Sequence, residues 1–183
     1  AALPLPAHAC VAHTAGSVPL DVLPGRCAPR AVFYPMQTFT KGRRVDFAQI
    51  PIFLECADEA FYPELEAFAR QLSQTVLRAD SARRAKIHLA AVFACNFANH
   101  MYVLGEQIAR SAGLDFGVLK PLVRETAEKA LDAASPADVQ TGPAVRHDLA
   151  TQERHLRLLG DDMQLKEIYT TISQHIWETS RKR

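Results

Sequence analysis

Three short runs set polar side chains where loop backbone can assist them. In His13-Thr14-Ala15-Gly16-Ser17, an imidazole and two hydroxyls surround a glycine directly after the apolar run Cys10-Val11-Ala12. That is the carboxyl end of a strand, where open α/β sheets gather ligands because loop amides and helix starts converge there. Tyr34-Pro35-Met36-Gln37-Thr38-Phe39-Thr40 repeats the arrangement past a second apolar run, with the Thr38 and Thr40 hydroxyls and the Gln37 amide in a loop stiffened by proline. In Thr141-Gly142-Pro143-Ala144-Val145-Arg146-His147-Asp148, a turn fixed by glycine and proline carries a guanidinium. Arg146 can fork onto a carboxylate or phosphate of a ligand, or form a structural salt bridge to Asp148 or to a helix end.

The elements that must hold these runs follow from periodicity. Cys10 to His13, Ala31 to Tyr34 and Ile52 to Cys56 read as short buried strands, with Val76-Leu77 as a last one. Pro19 to Leu23 reads as a helical turn, and Pro63 with Glu64 and Glu66 opens a helix whose apolar face is Leu65, Phe68, Ala69 and Leu72. Short apolar strands separated by helical segments imply a parallel α/β sheet. Three or four strands with one full helix make an incomplete sheet, so its remainder is expected upstream of Ala1 or from a partner.

Asp80 to Arg110 reads as one helix of about eight turns, capped by Asp80 or Ser81. At about 100° per residue, His88, Val92, Cys95, Asn99 and Tyr102 share a face, with Asn96 beside it. The other faces are filled by Ile87, Leu89, Phe93, Phe97 and alanines. A helix apolar nearly all round is expected to be the buried rod of a helical domain. Beyond it, Asp115, Ser135 and Asp161 or Asp162 are cap signals for further helices, and the basic tail Arg181-Lys182-Arg183 reads as a frayed, solvated end. Residues 1–79 are therefore expected to form a sheet domain and 80–183 an all-helical one.

The 183 residues are 48% hydrophobic, enough for a substantial core. A net charge of +1, from 21 basic and 20 acidic residues, gives no reason to expect nucleic acid. Arg26, Arg30, Lys41, Arg43 and Arg44 concentrate positive charge in the first fifty residues, where a local anion site could form. Cys10, Cys27, Cys56 and Cys95 form no close pair and read as small hydrophobes of an intracellular protein, with no metal expected. The longest apolar run, Ile87 to Cys95, contains His88 and is too short to cross a bilayer, so a cytoplasmic setting without membrane contact is expected.

The first two runs, the helix segment Ile87-His88-Leu89-Ala90-Ala91-Val92-Phe93-Ala94-Cys95-Asn96-Phe97, and Thr141-Gly142-Pro143 with Arg146 and Asp148 occur together in one order. In that combination the chain resembles the NAD(P)-binding oxidoreductases that join a Rossmann-like domain to a helical C-terminal domain of unknown function. These are similar to coenzyme F-four-twenty-dependent NADP oxidoreductases and to the ketopantoate reductase and beta-hydroxyacid dehydrogenase group. The resemblance implies the C-terminal part of a Rossmann-like domain followed by an all-α domain of the 6-phosphogluconate dehydrogenase C-terminal-like type. It also implies a homodimer. No G-x-G-x-x-G turn is present, and the resemblance places that turn ahead of Ala1. Two departures stand out: Tyr34 replaces the family's usual histidine, and His147 its usual glycine, implying a less tight turn after Arg146.

The same resemblance implies hydride transfer between a nicotinamide, NADP by analogy and NAD as the other choice, and a small carbonyl, imine or hydroxy-acid substrate. His13, Thr14, Gly16, Ser17, Met36, Gln37 and Thr38 then fall on the cofactor side of a cleft between the domains. His88 becomes the proton donor, because histidine is the residue type suited to proton transfer near neutral pH. Asn96 and Asn99 become holders of substrate oxygens, while Arg146 and Thr141 meet a substrate carboxylate. The related dehydrogenases carry a lysine one turn before their asparagine; Val92 stands there instead. The competing reading is a non-enzymatic helical dimerisation or ligand-sensing module, in which His88 is a satisfied core histidine and the asparagines bond between helices.

Overall fold

The computed structural model describes residues 9–25 and 29–182, so Arg26, Cys27 and Arg183 lie outside the described residues. It divides into two compact units, Ala1–Gly105 and Glu106–Arg183. The first is built on a four-stranded sheet in the order β1 (Val11–His13), β2 (Arg30–Pro35), β3 (Ile52–Cys56), β4 (Val76–Arg78). Strands β1 and β2 run parallel, β2 and β3 antiparallel, and β3 and β4 parallel. The expected all-parallel sheet is thus corrected to a mixed one. A parallel return needs a crossover of a dozen or more residues, usually helical. Between β2 and β3 the chain forms only the 3-10 turn Phe47–Gln49, and Tyr34 pairs directly with Phe53. Between β3 and β4 helix α1 (Tyr62–Arg70) supplies a helical crossover.

Both faces of the central strands are covered. On one, Ala31, Ile52, Leu54 and Cys56 pack with Leu65 and Ala69 of α1 and with Val76. On the other, Val32, Tyr34 and Phe53 pack with Leu20 and Ala79, and Met36 and Ile87 close over them. Each such fully buried aliphatic side chain contributes about 1.5–3 kcal/mol. The loop before β4 is fastened by Ser73, whose Oγ donates to the Ile50 carbonyl at 2.6 Å and accepts from the Thr75 amide at 3.0 Å.

The long helix runs as α2 (Ser81–Ala91), a π-helical stretch Val92–Phe97, and α3 (Ala98–Ser111). Asp80 caps it by accepting the Arg83 amide at 2.7 Å. Its polarity is inverted from that of an ordinary surface helix. The inward stripe is Ser81, Arg84, Ile87, His88 and Ala91, with Arg84 only 1% exposed, while Leu89, Phe93 and Phe97 stand out at 56%, 63% and 49%. Within its own unit the expected burial of this rod is not reached, because α2 is a single layer on the sheet and nothing among the described residues of that unit covers the far side.

A π turn closes i→i+5 and accommodates about one extra residue. Positions after Phe97 are thus turned by roughly 100° from those an unbroken helix would give, and the single face drawn through His88 and Asn99 does not survive. Taken whole, Ser81–Ser111 is long and apolar enough to cross a membrane, by length and composition only. Arg84 nonetheless ties its first turns to the sheet. A span starting after Ala91 would carry Asn96, Asn99, His100 and Glu106 into hydrocarbon, each at substantial cost.

The second unit contains α4 (Lys120–Asp132), α5 (Leu149–Leu158) and α6 (Met163–Ser180). Short acceptors start its helical segments: Asp115 takes the Gly117 amide, Ser135 that of Ala137, Asp148 that of Thr151 and Asp162 that of Leu165. In the turn before α5, His147 has φ +52°, the left-handed conformation glycine adopts most readily. The looser turn expected from a histidine there is corrected, since the backbone keeps the glycine-like geometry. The His147 ring stacks on Trp177 at 4.3 Å and 17°, which offsets the strain. Arg181 lies over the same indole, 5.5 Å from its centroid.

Candidate functional site

The polar side chains of the first unit converge at the end of β2. Tyr34, the penultimate residue of that strand, is 8% exposed and directs its hydroxyl at Nδ1 of His88, 3.3 Å away. The two rings meet edge to face at 6.1 Å. Burial pushes the Tyr34 phenol up, with Cys95 adding to the effect, so it stays a protonated O–H group. Gly16 closes the third side. A Cβ there would stand 2.7 Å from His88 Nδ1 and 2.7 Å from Tyr34 Cζ, closer than real carbon contacts allow. Glycine at position 16 is thus a packing requirement of the imidazole–phenol pair.

Beneath this cluster lies an ion pair that sequence reasoning missed. Arg84 donates through Nη1 to the Glu55 carboxylate and through Nη2 to the Val18 carbonyl at 2.5 Å. Ser81 Oγ donates to Glu55 at 2.8 Å and accepts the Leu20 amide at 3.1 Å. The network fastens residues 18–20, just past Gly16, to both β3 and the start of α2. Its signal was present in the spacing: Ser81, Arg84 and His88 recur at three and four residues on one helical face.

The remaining sequence candidates separate. His13 turns to its own loop, its Nδ1 accepting the Ala15 amide and its Nε2 facing the Pro19 carbonyl, each at 3.3 Å. Strand alternation sends Thr14 the other way, into an apolar cavity of 390 Å³ with Ala12, Phe33 and Phe68. Ser17 is exposed, and Met36 is packed in the core beside Ile87. Gln37 and Thr38 bond to each other at 2.8 Å and line a polar cavity of 490 Å³ with Thr40, Arg43, Arg44, Asp46 and Gln49. Asn96 and Asn99 are exposed on the long helix. Thr141 and Arg146 belong to the second unit, where both are exposed; the Thr151 amide and side chain, and after them the Arg154 and Arg146 charges, hold the Asp148 carboxyl below its usual range.

Residues 50–176 match the family described as a domain of unknown function, DUF2520. The chain belongs to this family. The DUF2520 match takes in β3, the long helix and the turn with Arg146, and begins after the Gly16 and Gln37 loops. Among solved structures, one from Bacteroides fragilis, described as a "putative NADP oxidoreductase", is 44% identical with a TM-score of 0.89. The alignment covers 94% of this chain and 66% of that one. A Thermotoga maritima protein, 24% identical with a TM-score of 0.76, covers 93% of this chain and 68% of its own, and shows the same fold. The chain thus spans about two thirds of the length of these relatives. No curated protein matches it. The architecture is a Rossmann-like α/β portion followed by helices.

The donor set tests the fit of a dinucleotide. Arg43 and Arg44 make no ion pair among the described residues, and they share the 490 Å³ cavity with the Thr38 and Thr40 hydroxyls and the Gln37 and Gln49 amides. Guanidinium forks with hydroxyls and amides are the chemistry that phosphate, ribose and carboxamide groups require. These residues fit part of such a ligand. The glycine-rich turn that would cradle a pyrophosphate is not in this sequence. Among the described residues, no group of three metal-ligating side chains occurs.

Proposed function

We propose that this chain is the larger part of an NAD(P)-dependent oxidoreductase, with NADP as the preferred nucleotide, acting on a small carbonyl, imine or hydroxy acid. The observation that carries the reading is its 44% identity, over 94% of its length, to the Bacteroides fragilis protein described as a "putative NADP oxidoreductase". The His88–Tyr34 pair supplies an imidazole aimed by a buried phenol, and the 490 Å³ cavity supplies cations and hydroxyls for the cofactor. The proposal extends to kinship with the coenzyme F-four-twenty-dependent, ketopantoate reductase and beta-hydroxyacid dehydrogenase groups, and to a helical unit of the 6-phosphogluconate dehydrogenase type.

The bound nicotinamide supplies or takes the hydride. The chain's own residues must then hold the substrate and move one proton. His88 gives a proton to the oxygen or nitrogen of the reduced bond and recovers one from solvent, or does the reverse during oxidation. Gln37, Thr38, Arg43 and Arg44 hold polar and phosphate groups of the cofactor, and Asn96, Asn99, Thr141 and Arg146 are assigned to substrate. The open stripe of Leu89, Phe93 and Phe97 is covered by a second copy of the chain, since apolar flanks of this kind mark association surfaces.

The test is calorimetric titration of NADPH and NADH into the full-length, demonstrably folded protein, with light scattering for the oligomer. Binding of NADPH ahead of NADH is expected. No heat from either at millimolar concentration refutes the oxidoreductase reading and leaves an interaction module in its place; a monomer at micromolar concentration refutes the dimer.

A further inference from the structure

The Tyr34–His88–Gly16 cluster decides more than the presence of an imidazole. A neutral histidine carries its proton on one nitrogen only, and the partner of the other nitrogen selects which. Here the partner of Nδ1 is a phenol at 3.3 Å. A phenol whose ionisation is pushed up by burial is a better donor than acceptor, and an unprotonated imidazole nitrogen accepts well. No described residue hydrogen-bonds His88 Nε2, and that atom is not among the buried polar atoms without a partner. Nε2 is therefore the nitrogen free to face a ligand.

We propose that Tyr34 and Gly16 are positioning residues for His88: Tyr34 donates to Nδ1 and fixes the neutral ring with its proton on Nε2, while Gly16 leaves the space in which the two rings meet. This rests on the reading of His88 as the proton donor. It adds which atom gives the proton and what holds the ring in place. When the ring takes up a second proton from solvent on Nδ1, the Tyr34 hydroxyl turns to accept from that nitrogen, and the imidazolium passes its Nε2 proton to the substrate heteroatom, which leaves a neutral ring with Tyr34 not consumed. The three residues come from different elements: a loop after β1, the end of β2 and the second turn of α2. The arrangement is thus built by the fold and not by local sequence.

The test reads His88 by nitrogen-proton correlation NMR at about pH 8.5, between the ordinary histidine and tyrosine values, with His88→Gln providing the assignment. The wild-type ring is expected to show its proton on Nε2 and Nδ1 at the position of a hydrogen-bonded acceptor. In Tyr34→Phe, which keeps the ring volume, the Nδ1 signal should move to that of an unbonded nitrogen and the share of Nδ1–H tautomer should rise. In Gly16→Ala both ring nitrogens should shift, because the added Cβ displaces the imidazole; this variant carries the test if Tyr34→Phe fails to fold. A wild-type proton on Nδ1, or ring nitrogens unchanged by Tyr34→Phe or by Gly16→Ala, overturns the proposal. The measurement needs no cofactor. Expected shifts together with absent NADPH binding would uphold the positioning of His88 and remove the oxidoreductase reading.

Discussion

Removing the Arg84 charge should destabilise the first unit far more than an ordinary helix substitution. Arg84 is 1% exposed and the Glu55 side chain 17% exposed, so Arg84→Met leaves a carboxylate with one remaining bond, from Ser81, and strips the Val18 carbonyl of its donor. Breaking a buried pair by removing one partner costs about 3–5 kcal/mol. The residual exposure of Glu55 places this case near the lower figure, at about 3 kcal/mol. Glu55→Gln, which strands the guanidinium, should cost a similar amount. The double variant should lose well under the sum of about 6 kcal/mol, because replacing both ions removes the uncompensated charge. With a urea dependence of about 1.5 kcal/mol per molar, each single change should lower the midpoint by roughly 2 M, followed by far-ultraviolet circular dichroism. Single shifts below about 0.5 M, or strict additivity in the double variant, would show that the network carries no coupling. The Arg84 Nε, buried without a partner, already marks this as an expensive arrangement.

Two further outcomes are expected. Asp148 has a carboxyl held below its ordinary range, first by the Thr151 amide and then by the Thr151 side chain. A depressed carboxyl contributes stability that is fully present above the unfolded value, about pH 4, and lost as pH falls through the folded one. Asp148→Asn should therefore be less stable than wild type at neutral pH, and thermal unfolding across pH should show the gap closing below about pH 4; a gap constant in pH removes the charge from the explanation. Cys95 is exposed, Cys56 buried and Cys10 half-buried with its thiol pushed up by burial. Iodoacetamide labelling mapped by mass spectrometry should modify Cys95 ahead of Cys10 and Cys56 in dilute protein, and more slowly as concentration rises. A rate independent of concentration speaks against a second copy covering that flank.

The strands and helix starts were legible because local chemistry writes them. Apolar runs bounded by Pro35 and Pro51 gave β2 and β3; Asp115 and Ser135 accept first-turn amides as expected, and of the paired alternatives Asp80 and Asp162 are the ones that do so. The direction of β3 was misread although a clue was available: the chain between Pro35 and Ile52 holds no helical pattern able to carry a crossover. The inverted long helix was hidden for two reasons. A wheel of even step cannot register a π turn, and periodicity does not tell which of two apolar flanks meets the sheet. His88 was found by type, but its partners Tyr34 and Gly16 lie 54 and 72 residues upstream, and only the assembled sheet brings them to it. Arg84 was not singled out, because arginine is rarely this buried.

The six residues Val92–Phe97 make length, not composition, the variable that decides what α3 presents. Exchanging one apolar residue for another there would leave the helix phase intact. Deleting any one of the six would restore a plain α-helix and swing Ala98, Asn99 and the turn after them about a quarter of the way round the axis, without altering a side chain outside the six. A stretch of this kind tolerates substitution and resists indels, so among the chain's descendants the spacing from His88 to Asn99 should outlast the identity of the residues between them.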